Sequence, residues 1–328
     1  MVQATADRSV DVLGFEQTVP ASLVHKRTAE QVFITDWMKG PTDDVLCTIA
    51  AQLPLAHSRF SDGAAGYHDL LCIAEVVRQG GLISAAKVLD VPDDRQFLLR
   101  ELRVQIDPLE RNRRVAECSR MLISQDAARS AVKVRRGGRL AGGKMHARLA
   151  IGGEPSGMCE VVGLWLPNEM YESFRGDAPG SNGSEDRGAE QADEAAALSH
   201  QPEPASGKGS RNTAVGTLET VDDRTYRGAL LVDRTDSTFF DHPLDHIPGL
   251  LMLEAMQQSA VAAVCRARSL ATDRVVLRSL DVTFSRIAEF TPGAVCQVTL
   301  DAGCEEASVE LLQLGKVCCS GTLGIVAL

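Results

Sequence analysis

No stretch limits the fold of this chain more than the run Pro248-Gly249-Leu250-Leu251-Met252-Leu253-Glu254-Ala255-Met256-Gln257-Gln258. Residues 250–264 are apolar on nearly every face, and a proline and a glycine open the segment, which predicts a helix enclosed by protein. At about 1.5 Å per residue, and interrupted by Glu254, Gln257 and Gln258, it is too short and too polar to span a bilayer. A carboxylate buried there needs partners, because burying the bare charge is expensive. An idle Glu254 is therefore physically expensive, and the other reading, an exposed stripe, is disfavoured because the residues three and four away on either side are mostly apolar.

A second helix of the same kind is predicted over residues 67–89, with Glu75 near its middle, Arg78 one turn on, and Gln79 beside it. Residues three and four apart share a helix face, so these three can serve one site. Each helix is followed by similar sequence. Residues 99–106 lie over residues 277–284, both alternating apolar and polar as a half-buried strand does, and in that alignment Glu75 falls within one residue of Glu254. Such a repeat reads as a duplicated domain. Further strand-like runs occupy residues 132–165 and 295–326, with shorter ones from Val32 and from Val45 on either side of Gly40-Pro41. One long helix and an antiparallel sheet, twice over, is an α+β pattern.

The expected organisation is a loose leader over 1–21, a first domain over 22–171, a disordered linker over 172–212 and a second domain over 213–328. The linker is rich in Gly, Ser, Ala, Glu and Asp without sustained apolar periodicity. A flexible chain of that length spans about 35 Å, enough for two domains with radii of gyration near 13 Å to pack together. A formal net charge of −10 excludes a broad basic face for nucleic acid. Nine cysteines without a CxxC pair, and no apolar signal-peptide core among the first thirty residues, point to free thiols in a reducing cytoplasm. Neighbouring Cys318 and Cys319 are expected to alternate across a strand, with a redox role as the other reading.

The run Phe239-Phe240-Asp241-His242-Pro243, followed by Pro248-Gly249 and Glu254-Ala255-Met256-Gln257-Gln258, resembles the hotdog fold of 3-hydroxyacyl-carrier-protein dehydratases, a curled antiparallel sheet around a central helix. In its Asp-His-Pro-x-Asp-His-x-Pro-Gly form it is more similar to the A-factor biosynthesis family, tandem hotdog proteins of γ-butyrolactone signalling. His25-Lys26, His68-Asp69-Leu70-Leu71, Glu75-x-x-Arg78-Gln79 and Phe284-Ser285-Arg286 add to the likeness.

The resemblance implies a tandem hotdog acyltransferase that moves a β-ketoacyl group from an acyl carrier protein thioester to the hydroxyl of dihydroxyacetone phosphate, with neither metal nor nucleotide cofactor. A hydroxyl attacks only once a base takes its proton, and an apolar surround that raises a carboxylate makes it a better base. Glu254 is the first candidate base and Glu75 the second, with Arg78 as an orienting or phosphate-pairing cation. The N–H groups after Gly249 are candidates for an oxyanion site. His242 is expected to line the site, and His246 stands open between the site and a plain loop role. His25 and His68 are weaker candidates, and Arg286 reads either as a site cation or as a solvated strand end. Gln257 stands where the family pattern expects arginine. The phosphate is then held by another cation, or the acceptor differs, or only the first site works. A hotdog dehydratase or thioesterase, or a non-catalytic acyl-binding protein, are the alternatives. Whether the two-domain unit pairs into a homodimer is open.

Two other signals compete. Gly138 to Lys144 has the Gly and Lys spacing of a phosphate-binding loop, but Met145 replaces its Ser or Thr, which favours a hairpin turn. The basic cluster Lys133, Arg135, Arg136, Arg139 and Lys144 reads as a solvated ribbon or as a dock for an acidic carrier protein.

Overall fold

The computed structural model describes residues 12–40, 42–61, 64, 66–115, 119–134, 140–176 and 212–328. The two acid-bearing helices form as expected, α1 at Leu70–Lys87 and α3 at Gly249–Arg268. α1 starts later than its apolar pattern because the Asp69 side chain caps it, accepting the Leu71 N–H at 2.9 Å. α3 runs one turn further than expected and stops at Ser269, which turns left-handed at φ 53°. Both helices are buried almost all round. Side chains such as Leu71, Ile73 and Ile83, at 0–1% exposure, each contribute about 1.5–3 kcal/mol by leaving water.

Around them lies one antiparallel sheet. In the first half its strands are β1 (Ile34–Lys39), β2 (Val45–Leu53), β3 (Arg95–Ile106), β4 (Ser119–Asp126), β5 (Ala131–Val134), β6 (Leu140–Ile151) and β7 (Glu154–Pro167), followed by a short helix, α2 (Asn168–Gly176). The second half supplies β8 (Glu219–Thr220), β9 (Thr225–Ala229), β10 (Val275–Phe284), β11 (Val295–Leu300), β12 (Glu306–Gln313) and β13 (Lys316–Ala327). The spatial order is β1-β2-β4-β6-β7-β3-β10-β13-β12-β11-β9-β8, with β5 hung on β6. α1 packs on β1, β2, β3 and β7; α3 packs on β9 to β13 and touches α1.

The halves meet where the two repeated strands pair. β3 and β10, aligned to each other in sequence, run antiparallel side by side, with Leu102 opposite Val282 and Val104 opposite Leu280. Arg103 thus faces its own counterpart, Asp281, and the two form an ion pair at 2.6 Å. Two equal arginines there would repel, so the duplicated strand has become complementary to its twin.

Several expectations change. Residues 12–21 are not loose: Leu13 packs with Ala50 and Leu122, Gly14 donates to Asp36 at 2.8 Å, and the Val19 N–H bonds the Ile34 carbonyl at 3.0 Å. Residues 1–11 lie outside the described residues, as do 177–211 of the expected linker; residues 172–176 belong to α2 rather than to a linker. The hairpin reading of residues 138–144 holds in that β5 and β6 pair antiparallel, with Val134 opposite Leu140; Gly142, Gly143 and Lys144 themselves lie inside β6, where a Cβ on Gly142 would come within 2.6 Å of the Gly163 carbonyl. A strand pairing, not a phosphate, explains the glycines there. Of the basic cluster, Arg135, Arg136 and Arg139 lie outside the described residues, and Lys144 is paired to Glu160. Cys318 and Cys319 are consecutive in β13 and both buried, and the eight described cysteines are free thiols.

Candidate active site

One face of α1 presents Glu75, Arg78 and Gln79. The Glu75 carboxylate, 1% exposed, takes Nε of Arg78 at 2.7 Å on one oxygen and Nη2 at 2.8 Å on the other. Gln79 Nε2 donates to Glu75 at 2.8 Å and to the Gln31 carbonyl at 2.7 Å, while its own oxygen accepts the Phe33 N–H at 3.0 Å. Lys26 Nζ stands 3.6 Å from Glu75 and donates to the Thr238 carbonyl at 3.2 Å. Burial alone would raise the Glu75 carboxyl, but the Arg78 and Lys26 charges, with the hydrogen bonds from Arg78 and Gln79, outweigh it and hold it down at about 2. Glu75 is therefore a fixed anion and a poor base, contrary to the expectation of a raised carboxyl. Two cations against one carboxylate leave Glu75, Arg78 and Lys26 net positive, a charge that Asp241, acting on Arg78, partly offsets.

α3 repeats the wiring. Gln258 donates to Glu254 at 2.6 Å and to the Asn212 carbonyl at 2.7 Å, and accepts the Ala214 N–H at 2.8 Å. The cation differs. Where α1 uses Arg78, α3 has Gln257, whose amide reaches across to Asp69 at 2.7 Å, and the positive charge comes instead from Arg59 of the first half, 3.2 Å from Glu254. Arg59 also holds Asp236 through Nε at 3.0 Å and lies over the Phe239 ring at 4.4 Å.

A cleft of about 260 Å³ opens along the seam. Its walls carry His25, Lys26, Glu75 and Arg78 from the first half, and Asp241, His242, His246, Gly249 and Arg286 from the second. Glu254 and Gln257 do not line it. Asp241, whose side chain is 1% exposed, accepts the Arg27 N–H at 2.7 Å and bonds His242 Nδ1 at 2.6 Å, so Nε2 is the ring nitrogen left for a ligand. His246 Nδ1 is engaged by Asp245 at 2.6 Å and Tyr171 at 3.4 Å. Gly249 begins α3, and Pro248 gives no side-chain cap, so the first N–H groups of the helix stand at the cleft without intrahelical acceptors. Arg286 stands just past the end of β10, where the Cys318 carbonyl of β13 accepts the Ser285 and Arg286 N–H groups at 2.8 and 3.1 Å.

The remaining histidines separate by environment. His25 is exposed at the cleft mouth, yet desolvation by the surrounding walls, followed by the Arg78 and His242 charges, lowers its imidazole to about 4. His68 is buried away from the cleft, bonded to Ser119 at 2.8 Å, and lowered to about 4 by burial and then by Arg114. Sequence reasoning passed over Lys26, Arg59 and Asp241 as site residues. The signal for Asp241 was its place directly before His242. For Arg59 it was the match of Arg59-Phe60 to Thr238-Phe239 at the spacing that relates Glu75 to Glu254. Among the described residues, no His, Cys, Asp or Glu cluster is arranged to hold a metal ion, and no helix is long and apolar enough to cross a membrane.

Two helices, each with a buried glutamate and each wrapped by its half of one curved sheet, joined strand to strand with a cleft at the join, define a double hotdog protein. Residues 8–165 and 207–327 match the A-factor biosynthesis hotdog domain, and the chain belongs to that family. A Streptomyces virginiae protein named 2-oxo-3-(phosphooxy)propyl 3-oxoalkanoate synthase is 29% identical over 246 residues, covering 75% of this chain and 76% of that protein. A Streptomyces coelicolor protein of the same name is 28% identical over 256 residues, covering 76% and 74%. Among solved structures, the dehydratase domain from the CurF module of curacin polyketide synthase superposes with a TM-score of 0.48 at 11% identity, covering 94% of this chain and 99% of that one.

Proposed function

We propose that this chain is an acyltransferase that makes a 2-oxo-3-(phosphooxy)propyl 3-oxoalkanoate, from a 3-oxoacyl thioester on an acyl carrier protein and the hydroxyl of dihydroxyacetone phosphate. The observation that carries the reading is the meeting, in one cleft, of a carboxylate-held histidine, a positive cluster and an uncapped helix start. Such a set matches the three needs of the reaction: a base, a phosphate seat and an oxyanion site.

In this reading His242 Nε2 takes the proton of the acceptor hydroxyl while Asp241 steadies the imidazolium. The hydroxyl oxygen bonds to the thioester carbon, and the N–H groups of Gly249 and Leu250 receive the oxyanion. The C–S bond then breaks, and His242 returns its proton to the departing thiolate. Arg78, Lys26 and Arg286 seat the phosphate, with Glu75 fixing Arg78 in place. Glu254, tied to Arg59, has a structural role.

Mass spectrometry of the product from a 3-oxoacyl carrier-protein thioester and dihydroxyacetone phosphate tests the proposal. A phosphorylated ester supports it; free acid replaces it with hydrolysis, and loss of water from a 3-hydroxyacyl carrier-protein thioester, offered in a parallel reaction, replaces it with a hydro-lyase.

A further inference from the structure

Behind the cleft lies a second, small cavity of about 20 Å³, between the C-terminal half of α1 and strands β6 and β7. Among the described residues, Phe97 of β3 alone lines both spaces. Its ring rests on Gly163, where a Cβ would come within 2.3 Å of it. Along α1, Arg78 borders the cleft while Gly81 and Ala85, three and seven positions on and so on the same face, border the cavity. That face passes from a charged side chain to none to a single methyl, and Val161, Met145 and Trp165 stand across from it.

We propose that Phe97 is the plug that ends the acyl-chain pocket, and that the space behind it takes the distal carbons of a longer chain when the ring is trimmed. The inference rests on the acyl-transfer reading and deepens it. The thioester has to meet His242 at the polar wall, so its hydrocarbon tail runs toward the apolar side of the cleft, where Phe97 separates the cleft from the cavity. Any side chain at residue 163 would push the ring off its seat. Gly81 widens the space that a tail would use, since the nearest atoms a Cβ there would meet are those of Val161, at 3.6 Å.

The test is the affinity, by calorimetry, of a ladder of straight-chain S-(3-oxoalkyl) pantetheine thioethers, which lack the thioester carbonyl and so bind without transferring. Wild-type affinity should climb with chain length to a limit and then fall. In Phe97→Ala the limit should move to longer chains, each added methylene tightening Kd about fourfold. Phe97→Leu is the milder variant should alanine not fold, and it should move the limit in the same direction by less. Adding Gly81→Ala to Phe97→Ala should pull the limit back. The same limit in wild type and in a folded Phe97 variant would overturn the plug. Transfer to dihydroxyacetone phosphate is assayed separately. Absence of the ester with wild-type protein would remove the proposed reaction, and the binding ladder would still decide the role of Phe97.

Discussion

Arg59 Nη1 lies 3.2 Å from Glu254 Oε1, a cation of the first half inserted beside the buried acid of the second. On α1 the matching acid is served from its own helix, by Arg78. The same charge requirement is thus met locally at one station and from across the seam at the other. This accounts for Gln257: with Arg59 in place, an arginine on α3 would put a second cation against Glu254, and the neutral amide is instead free to bind Asp69.

Replacing Arg59 by methionine should therefore be costly. It takes the first-half cation from a carboxylate that is 0% exposed and releases Asp236 as well. Removing one partner of a buried pair costs about 3–5 kcal/mol. Adding Glu254→Gln should recover part of that, because the excess buried charge disappears with the acid. Urea unfolding of the single and double variants measures both; a loss below about 1 kcal/mol for Arg59→Met would mean the pair behaves like a surface one.

The Arg59 contact also shows where reading the sequence stops. The two acid-bearing helices were legible because an apolar run with one carboxylate admits few structures, and the repeated strands were legible from their alternation. Which carboxylate opens on a cleft was not: both take an amide from the glutamine four residues on, and although Arg78 against Gln257 was visible, the partners that decide the matter, Lys26 and Arg59, are distant in sequence. β8 and β9 escaped notice because Glu219, Thr220 and Thr225 to Ala229 are too short and polar to show a period. The burial of Leu13 and Val19 escaped for a related reason: isolated apolar residues carry no pattern until the sheet they cover exists.

His242→Ala should lower kcat for ester formation by about 10²–10⁴-fold, the usual share of a positioned general base. Asp241→Asn should give a smaller loss, since the ring keeps its place but loses the charge that supports its protonated form. Glu254→Gln, once shown to be folded, should retain turnover. Steady-state rates of the three variants decide the matter: a loss in Glu254→Gln as deep as in His242→Ala would return the base to α3.

Arg78→Gln should act mainly on the phosphorylated acceptor. It removes one of two cations around Glu75, and with it the net positive charge of the cluster. A charge-assisted hydrogen bond is worth about 1.5–3 kcal/mol, so KM for dihydroxyacetone phosphate should rise about 10- to 100-fold with a smaller change in kcat. Lysine should rescue poorly, because Nε and Nη2 of Arg78 grip both oxygens of Glu75, which an ammonium cannot copy. A kcat loss at unchanged KM would move Arg78 from the phosphate seat to the chemical step.

Acid should weaken the fold in two successive windows, each set by a different buried group. His68 is held at about 4 against an ordinary 6.5, because burial and the nearby Arg114 disfavour its protonated form. As pH falls from 6.5 toward 4 the unfolded chain binds a proton that the folded chain refuses, so stability drops, by about 2 kcal/mol between roughly pH 7 and pH 5. Glu75 works lower: its folded value of about 2 lies below the ordinary 4.5, so the stability it contributes is complete above 4.5 and is lost as pH falls from there toward 2. His25 and His57, both lowered and both less enclosed than His68, add to the upper window in the same direction. His68→Gln keeps an amide to meet Ser119 but cannot take the proton, so its urea midpoint should change less than that of wild type across the upper window and fall alongside it in the lower one. Equal slopes for the two proteins between pH 7 and pH 5 would show that the histidine is protonated inside the fold.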